Sequence, residues 1–365
     1  MNTKNKRIIW NLFRSLLELK QTERLWHIPL LASLCSGIPL LVGLYFQNLS
    51  YGILSCTAGL VILYLPSANL AERMITMLAC SFGFMISFAI GIIFSFNPVI
   101  SAAVLGILTF GVQWTATYFR MKPPGSFFFL MIASIASCMP FDLRTIPLKI
   151  GLVGMGAILA CVLAFLYSLY IVKIYPAGSE QIRIKPKSYH KTIEAAITGF
   201  FVALSLLIGN LLHLSSNPYW VPISCLAVMQ GVTLEHIWQR SFQRILGTLV
   251  GLALAWLLLL LHLTPLTVCI IIFILRFIIE MLVVRHYGLA VIFMTPLAIL
   301  LAEAGSAISA DPNVLIPTRF FDIALGSIIG GIAGWFIHHE QLKEKADRQI
   351  RKTRITLGRK DNFGV

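Results

Sequence analysis

Residues 173–189 read KIYPAGSEQIRIKPKSY, and they form the only sizeable polar stretch inside a chain that is otherwise dominated by apolar runs. Such runs, separated by short polar breaks, lie on both sides of it and fill two parts of similar length. Because lipid offers backbone groups no hydrogen-bond partner, long apolar runs of this kind are typical of membrane-spanning helices. The pattern predicts a membrane protein made of two halves joined by a polar linker.

The composition agrees with this interpretation, since 58% of the residues are hydrophobic and 12% are charged. A soluble domain carries roughly 25% charged residues. About twelve apolar runs can be assigned, and they lie at 27–46, 50–65, 73–94, 98–118, 126–139, 148–172, 190–212, 218–233, 241–262, 265–284, 286–302 and 314–338. We therefore expect an all-α, polytopic transmembrane bundle of about 12 helices, built as two tandem parallel six-helix repeats. The runs at 50–65 and 126–139 are short enough to be re-entrant or tilted instead of spanning.

The distribution of positive charge predicts the topology. Alternating the loops places 25 of the 29 lysines and arginines on one face, which is the positive-inside pattern of a chain with both termini in the cytoplasm. The net charge of +14 then indicates anionic lipid headgroups at the cytoplasmic face of a bacterial-type inner membrane, and no nucleic acid. The expected parts are an amphipathic leader (1–26), the first repeat (27–172), the linker (173–189), the second repeat (190–339) and a basic tail (340–365).

Short motifs recur in the two halves, as expected of an internal repeat. Three pairs correspond in order: Ser55-Cys56 with Ser224-Cys225, Glu72-Arg73 with Gln243-Arg244, and Lys149 before Gly156 with Arg319 before Gly326.

The segment from Gln243 to Gly251 reads QRILGTLVG and resembles the QRxxGTxxG signature of the fusaric-acid-resistance/aromatic acid exporter superfamily. Two further features fit, namely Pro218-Tyr219-Trp220 with Pro222, and Arg319-Phe320-Phe321-Asp322 followed by Gly326 and Gly330. The likeness covers about 190–338 and is degraded in the first half. Plant aluminium-activated malate channels belong to the same superfamily. The resemblance implies membrane export of organic, often aromatic, acids.

Arg276 and Glu280 are the candidate substrate-binding charges. Arg276 lies about 16 Å into the tenth run, where a charge costs about 2.5–3.5 kcal/mol or more, and Glu280 follows one turn later. The pair is either a structural ion pair or a site for a substrate carboxylate. Gln113 and Trp114 occupy the counterpart region of the first half. The first half therefore does not duplicate these charges.

Thr295-Pro296 is expected to interrupt the eleventh helix, and with the short fifth helix it indicates a binding site, although a simple kink remains the alternative.

Gln243, Arg244 and Arg73 are expected to form a cytoplasmic vestibule that attracts anions. Charges that set the topology, or helix capping by lipid phosphate, are the alternative. Helix packing at the interface between the two halves is the expected role of the closely spaced glycines Gly247, Gly251, Gly326, Gly330 and Gly334, and a substrate-lining role is the alternative.

Arg319 and Asp322 lie three residues apart on the last helix and can form an ion pair there. Lys149 takes the place of Arg319 in the first half and is expected either to complement Asp322 or to ring an outer gate. Structural pairing is the alternative to this gate.

The sequence contains no HExxH motif, nucleophile elbow or P-loop, and its seven cysteines lack metal-ligand spacing. We therefore expect no enzyme activity, no metal and no cofactor. The favoured function is a transporter or efflux permease for small organic anions, in particular aromatic carboxylates. A passive anion channel and a non-transporting envelope scaffold are the alternatives, and a homo-oligomer or a separate efflux subunit is left open as a partner.

Overall fold

The computed structural model describes residues 25–174, 189–212, 217–231, 233–261, 263–303 and 312–338. All regular elements within these ranges are helical, which confirms the predicted fold class. They are twelve α-helices: α1 His27–Tyr45, α2 Leu49–Ala58, α3 Leu70–Ile93, α4 Pro98–Tyr118, α5 Phe127–Ser137, α6 Ile146–Ile174, α7 Tyr189–Leu212, α8 Trp220–Met229, α9 Leu234–Leu260, α10 Pro265–Leu282, α11 Tyr287–Glu303 and α12 Pro312–His338. Nearly all of the leader, most of the linker and the basic tail lie outside the described residues.

Eight of the described helices are long and apolar enough to cross a membrane. The shorter apolar helices are α2, which continues as a 3-10 turn through Gly59–Tyr64, and α5, α8 and α11. These are the second and fifth helices of each half. The chain is a multi-pass membrane protein, and the short helices occupy matching places in its two halves.

The fourth helix of each half begins in the same way. Asn97 caps α4 and Thr264 caps α10, each through a side-chain oxygen that accepts a backbone N–H of the first turn. The next residue is a proline in both cases, Pro98 and Pro265, at a position where the missing N–H would have no partner anyway. These two prolines give a common starting point for comparing positions along α4 and α10.

Helix contacts follow the same pattern in both halves. In the first half α1 packs on α2 and α6, α2 on α6, α3 on α5 and α6, and α4 on α5. Each of these pairs recurs six helices later, and the halves join through α4 with α7 and through α1 with α10. This is the contact pattern expected of two six-helix repeats. The parallel orientation of the halves and the cytoplasmic location of both termini stay predictions.

Glycines allow the equivalent helices to approach closely. A Cβ added to Gly156 of α6 would lie 2.0 Å from the Ser55 carbonyl oxygen of α2. A Cβ on Gly326 of α12 would lie 2.2 Å from the Val221 carbonyl oxygen of α8. The other glycines of the expected packing set also face neighbouring helices, but these helices belong to the second half and not, as the sequence predicts, to the interface between the halves: Gly247 and Gly251 face α11, Gly330 faces α8, and Gly334 faces Ile237 of α9.

The two seams between the halves differ at one equivalent position. Gly106 of α4 lies against Gly199 of α7, where a Cβ on either residue would come within 3.0 Å of the other's carbonyl oxygen. Counted from Pro98 and Pro265, the matching residue of α10 is Phe273, whose ring packs against Gly37 of α1. One seam therefore closes backbone to backbone, and the other is filled by an aromatic ring.

Candidate anion site in the second half

Arg244 links three helices of the second half. Its side chain is buried, with the residue 7% exposed. Its Nε donates to the Ser224 hydroxyl of α8 at 3.1 Å, and its Nη1 donates to the Tyr287 hydroxyl of α11 at 3.0 Å. The guanidinium is thus held by two neutral hydroxyl groups, which leave its positive charge uncompensated by these contacts.

Arg319 of α12 is a second buried cation and contacts the same short helix α8. The residue is 3% exposed, and its Cζ lies 4.7 Å from the centre of the Trp220 ring. Trp220 opens α8, and Ser224 follows one turn later, about 6 Å along the axis. Asp322, which is 1% exposed, lies one turn from Arg319 on α12. Two guanidinium groups therefore touch α8 one turn apart.

Arg240 lies one turn before Arg244 on α9. Its Cζ is 4.4 Å from the centre of the Tyr287 ring, so Tyr287 contacts both arginines, one through its ring and the other through its hydroxyl. Charges within membrane-spanning helices are costly and commonly line substrate or ion pathways. The arrangement can attract an anion and present both cationic and aromatic surfaces to it.

The expected vestibule differs from what the structure shows. Gln243, Arg244 and Arg73 are 5%, 7% and 6% exposed, so they are buried in helix contacts and do not line an open vestibule. Arg73 donates from Nε to the Ala68 carbonyl at 2.7 Å and from Nη1 to the Ser168 hydroxyl at 3.4 Å. Its partners therefore belong to the first half alone.

The predicted equivalence of Arg73 with Arg244 is also wrong. Arg73 lies in the first turn of α3, whereas Arg244 is preceded by almost three turns of α9, which begins at Leu234 and not at 241. The helix contacts give the true match, because Gly91 and Gly251 each face a carbonyl and a side chain of the fifth helix of their half.

Phe84 stands seven residues before Gly91 in the first half, and Arg244 stands seven residues before Gly251 in the second half. Phe84 is fully buried, with its ring 4.8 Å from Phe129 and 5.8 Å from Tyr64. The first half therefore fills with aromatic rings the place where the second half holds a hydrogen-bonded guanidinium.

Arg276 and Glu280 form an ion pair on α10, with Nη2 and Oε1 3.5 Å apart and side chains that are 11% and 5% exposed. The pair lies on a helix that packs against the first half, since α10 contacts α1, and Leu275 and Ile279 beside the pair cluster with Leu40 of α1. Nε and Nη2 of Arg276 are buried without a hydrogen-bond partner among the described residues. The pair is thus shared between the halves.

Gln113 and Trp114 do not join Arg276 and Glu280. They lie on α4, which packs mainly on α7, whereas α10 packs on α1 and α11. Gln113 accepts a hydrogen bond from the Ser126 hydroxyl, and Trp114 is 41% exposed and stacks on Tyr118. Counted from the opening prolines, Gln113 is nevertheless the positional match of Glu280, and Thr109 that of Arg276.

The expected interruption at Thr295-Pro296 is absent, since α11 is one continuous helix from Tyr287 to Glu303 with Pro296 inside it. Thr295 donates its hydroxyl to the Val291 carbonyl at 3.0 Å. Pro296 has no N–H for the Ile292 carbonyl, which lies against Gly251 of α9, so close packing surrounds this carbonyl. Neither residue lines an open site.

Lys149 lies in the first turn of α6 and reaches back toward the Pro140 carbonyl, 3.4 Å from its Nζ. Its positional match Arg319 is instead buried against Trp220, so the two cations have different surroundings.

Sequence reasoning missed Tyr287 and Ser224 as partners of Arg244. The sequence offers only weak signals for these two partners. Tyr287 follows the basic pair Arg285-His286, and Ser224 belongs to a motif that recurs in both halves.

The described part of the chain has no group of three or more His, Cys, Asp or Glu side chains that could hold a metal ion.

Residues 202–333 match the family described as "Fusaric acid resistance protein-like". This range includes Ser224, Arg244, Tyr287 and Arg319. Over 115 residues, or 32% of its length, the chain is 36% identical to the "Uncharacterized membrane protein YvaC" of Bacillus subtilis (strain 168), and this match spans 18% of that relative. No solved structure matches the chain. The resemblance seen in the sequence is confirmed for the second half.

Proposed function

We propose that this protein moves small organic anions across the membrane by way of the buried cations of its second half. The observation that supports this most is the pair of guanidinium groups, Arg319 and Arg244, that contact α8 one turn apart inside an apolar bundle. Both lie within the range that matches the fusaric-acid-resistance family. The corresponding position of the first half holds the uncharged Phe84, which packs against the rings of Phe129 and Tyr64.

The chemistry of this site favours a carboxylate attached to an aromatic ring. A guanidinium presents a planar fork of N–H donors that suits a carboxylate, and it also stacks on aromatic rings. Trp220 and Tyr287 already provide rings beside Arg319 and Arg240. Aromatic monocarboxylates of the hydroxybenzoate type are therefore the proposed substrates, in keeping with the acids that the resemblance implies.

Uptake by proteoliposomes that contain the full chain tests this proposal. Labelled 4-hydroxybenzoate should enter faster than into empty liposomes, whereas the uncharged 4-hydroxybenzamide should not. Arg244→Gln should slow uptake by about tenfold or more, because a hydrogen bond to a charged group contributes roughly 1.5–3 kcal/mol. Arg285→Gln removes an equal charge from an exposed residue nearby and serves as the control.

The same preparation separates the alternative functions. A carrier coupled to protons should respond to an imposed pH gradient, and a passive channel should give a current in planar bilayers that follows the voltage. Equally fast entry of the acid and the amide would contradict an anion-selective site, and no entry above that into empty liposomes would contradict transport and favour the scaffold.

A further inference from the structure

A second group of hydrogen-bond donors lies where α10 gives way to α11. His286 is 7% exposed, and its Nδ1 accepts the backbone N–H of Leu289 at 3.0 Å. A neutral imidazole carries a hydrogen on only one nitrogen, so this bond places it on Nε2. Nε2 is fully buried, and no acceptor reaches it among the described residues. His286 therefore directs a buried donor into the packing between α9 and α11.

Arg240 of α9 offers a second donor of this kind. Its guanidinium is stacked on the Tyr287 ring, 4.4 Å from the centre, and its Nε is buried with no acceptor among the residues that the structure describes. A stacked guanidinium keeps its N–H groups in its own plane, where they can bind an oxyanion at the edge. Arg240 thus provides a positive charge and a buried N–H donor with a fixed orientation.

The two donors are linked through Gln243 of α9 and the first turn of α11. His286 Cε1 and Gln243 Cγ both lie within 3.3 Å of the point where a Cβ of Gly288 would stand. Gln243 is three residues from Arg240 and so is its neighbour on the face of α9. The backbone N–H groups that open the 17-residue helix α11 lie beside them and add partial positive charge.

The charge of this corner is positive and lacks a compensating acid. The contacts of Arg240 and Arg244 in the described chain are with the Tyr287 ring and with the hydroxyls of Ser224 and Tyr287, and none is with a carboxylate. A phosphate group would match these donors better than a single carboxylate does, because its additional oxygen atoms can accept more charge-assisted hydrogen bonds.

The surroundings of this corner suit the surface of a membrane. Trp238 and Phe242 lie two residues before and after Arg240 on α9 and are 49% and 45% exposed, so α9 presents aromatic side chains on its surface at the level of Arg240. Exposed aromatic side chains beside arginines are typical of the boundary between lipid tails and headgroups. In the predicted topology this corner lies at the cytoplasmic face, where anionic phospholipids attract basic residues.

We propose that Arg240 and His286 form a binding site for a phosphate group. The phosphate is presented by the headgroup of an anionic phospholipid or by a soluble phosphate compound, and the two sources share the same chemistry. The site shares the Arg240–Tyr287 contact with the proposed transport site, whereas Arg319, Trp220 and the Arg244–Ser224 contact lie outside it, so lipid binding and anion uptake can be measured separately and can fail separately. The α9–α11 corner is thus assigned a ligand that stays bound while other anions move.

Native mass spectrometry of the full chain, purified in detergent, tests the proposal. The probes are a short-chain phosphatidylglycerol, a phosphatidylcholine of equal chain length and inorganic phosphate. Phosphatidylglycerol should bind more tightly than phosphatidylcholine, whose choline cation would meet the arginines. Millimolar inorganic phosphate that displaces the lipid would identify a soluble phosphate as the source and would still support the site. Lipid binding that withstands phosphate would identify the headgroup.

Variants test the assigned residues. Arg240→Gln should weaken phosphatidylglycerol binding by about tenfold, because it removes charge-assisted hydrogen bonds to the phosphate that an exposed arginine outside the site does not make. His286→Ser should weaken it as well, because a serine oxygen can still cap α11 while the Nε2 donor is lost. Arg285→Gln is the matched control, since Arg285 is adjacent but exposed, and it should leave the affinity unchanged.

Equal affinity of the wild-type chain and the Arg240→Gln and His286→Ser variants for phosphatidylglycerol would overturn the proposal, as would an equally large loss in Arg285→Gln. Melting temperatures of the three variants show whether each is folded. A chain that binds the lipid as proposed but does not take up 4-hydroxybenzoate would refute the proposed function and keep this inference.

Discussion

The two halves of the molecule share a scaffold but fill it differently. Gly91 and Gly251 make the same kind of contact with the fifth helix of their half, yet seven residues before them stand Phe84 and Arg244. Phe84 packs on aromatic rings, whereas Arg244 binds two hydroxyl groups. The difference shows that the helix arrangement does not require a charge at this place, so the charge in the second half is there for another reason.

The seams between the halves repeat this contrast. The α4–α7 seam is closed by glycines and carries Thr109 and Gln113, both neutral. The α1–α10 seam has Phe273 against Gly37, and Arg276 and Glu280 stand at the positions of Thr109 and Gln113. Each contrast can be tested by giving one half the residue of the other or by altering matched positions in both.

The largest expected effect is at the glycines that both halves share. Gly156→Ala and Gly326→Ala should each destabilise the bundle strongly, by about 4 kcal/mol or more, because the new Cβ would collide with a backbone carbonyl and a whole helix must shift. Thermal unfolding in detergent measures this. Gly151→Ala on the same helix α6 meets no atom within 4 Å and should be neutral. If the two halves respond very differently, their packing is not equivalent.

Separating the charges of the α1–α10 seam should have the next largest effect. Arg276→Thr leaves Glu280 buried without its ion-pair partner and should lower the free energy of unfolding by roughly 3–5 kcal/mol. Adding Glu280→Gln, which copies the residues of the α4–α7 seam, should recover most of that loss. Denaturant unfolding of the single and double variants measures the coupling between the two residues. A double variant no more stable than the single one would show that Arg276 stabilises the bundle through contacts other than its ion pair with Glu280.

A smaller effect is expected at the glycine seam. Gly106→Ala should lower the free energy of unfolding by about 1–3 kcal/mol, because its Cβ would stand 2.8 Å from the Cβ of Ala203 and the seam must widen. The control is Gly111→Ala on the same helix, which has nothing within 4 Å. Unchanged stability of Gly106→Ala would mean that the α4–α7 seam is looser than described.

The smallest effect is expected at Pro296. Because α11 is continuous there, Pro296→Ala should change the free energy of unfolding by no more than about 1 kcal/mol and leave uptake of 4-hydroxybenzoate intact. The restored N–H can bond the Ile292 carbonyl, which already has a packed environment. A large loss of uptake would revive Pro296 as part of a binding site.

The sequence predicted the twelve helices and the two halves, because apolar length and loop charge are properties of the chain itself. It placed the start of α9 at 241 and not at Leu234, since the first turns are too polar for an apolar run to reveal. Similar residue types around Arg73 and Arg244 predict that these two positions are equivalent, whereas the helix contacts make Phe84 the equivalent of Arg244. The sequence could not identify Tyr287 as the partner of Arg244, because that contact joins residues 43 positions apart.

The sequence predicts a break at Pro296 because a proline removes one backbone hydrogen bond from a helix. Sequence alone does not show that Pro296 has Gly251 beside its unbonded carbonyl, and this close packing accompanies an unbroken helix. Helix existence was thus accessible from the sequence, while burial and the partners of each charge were decided by contacts between distant segments.

Uptake of 4-hydroxybenzoate by proteoliposomes with Arg244→Gln, set against Phe84→Leu at the equivalent position, is the most direct test of the account. Rates are divided by the amount of folded protein in each preparation. Arg244→Gln should lose about tenfold or more of the rate through its missing charge. Phe84→Leu is an apolar replacement and should stay within about twofold of wild type. Equal losses in both variants, or a larger loss in Phe84→Leu, would contradict an anion site confined to the second half.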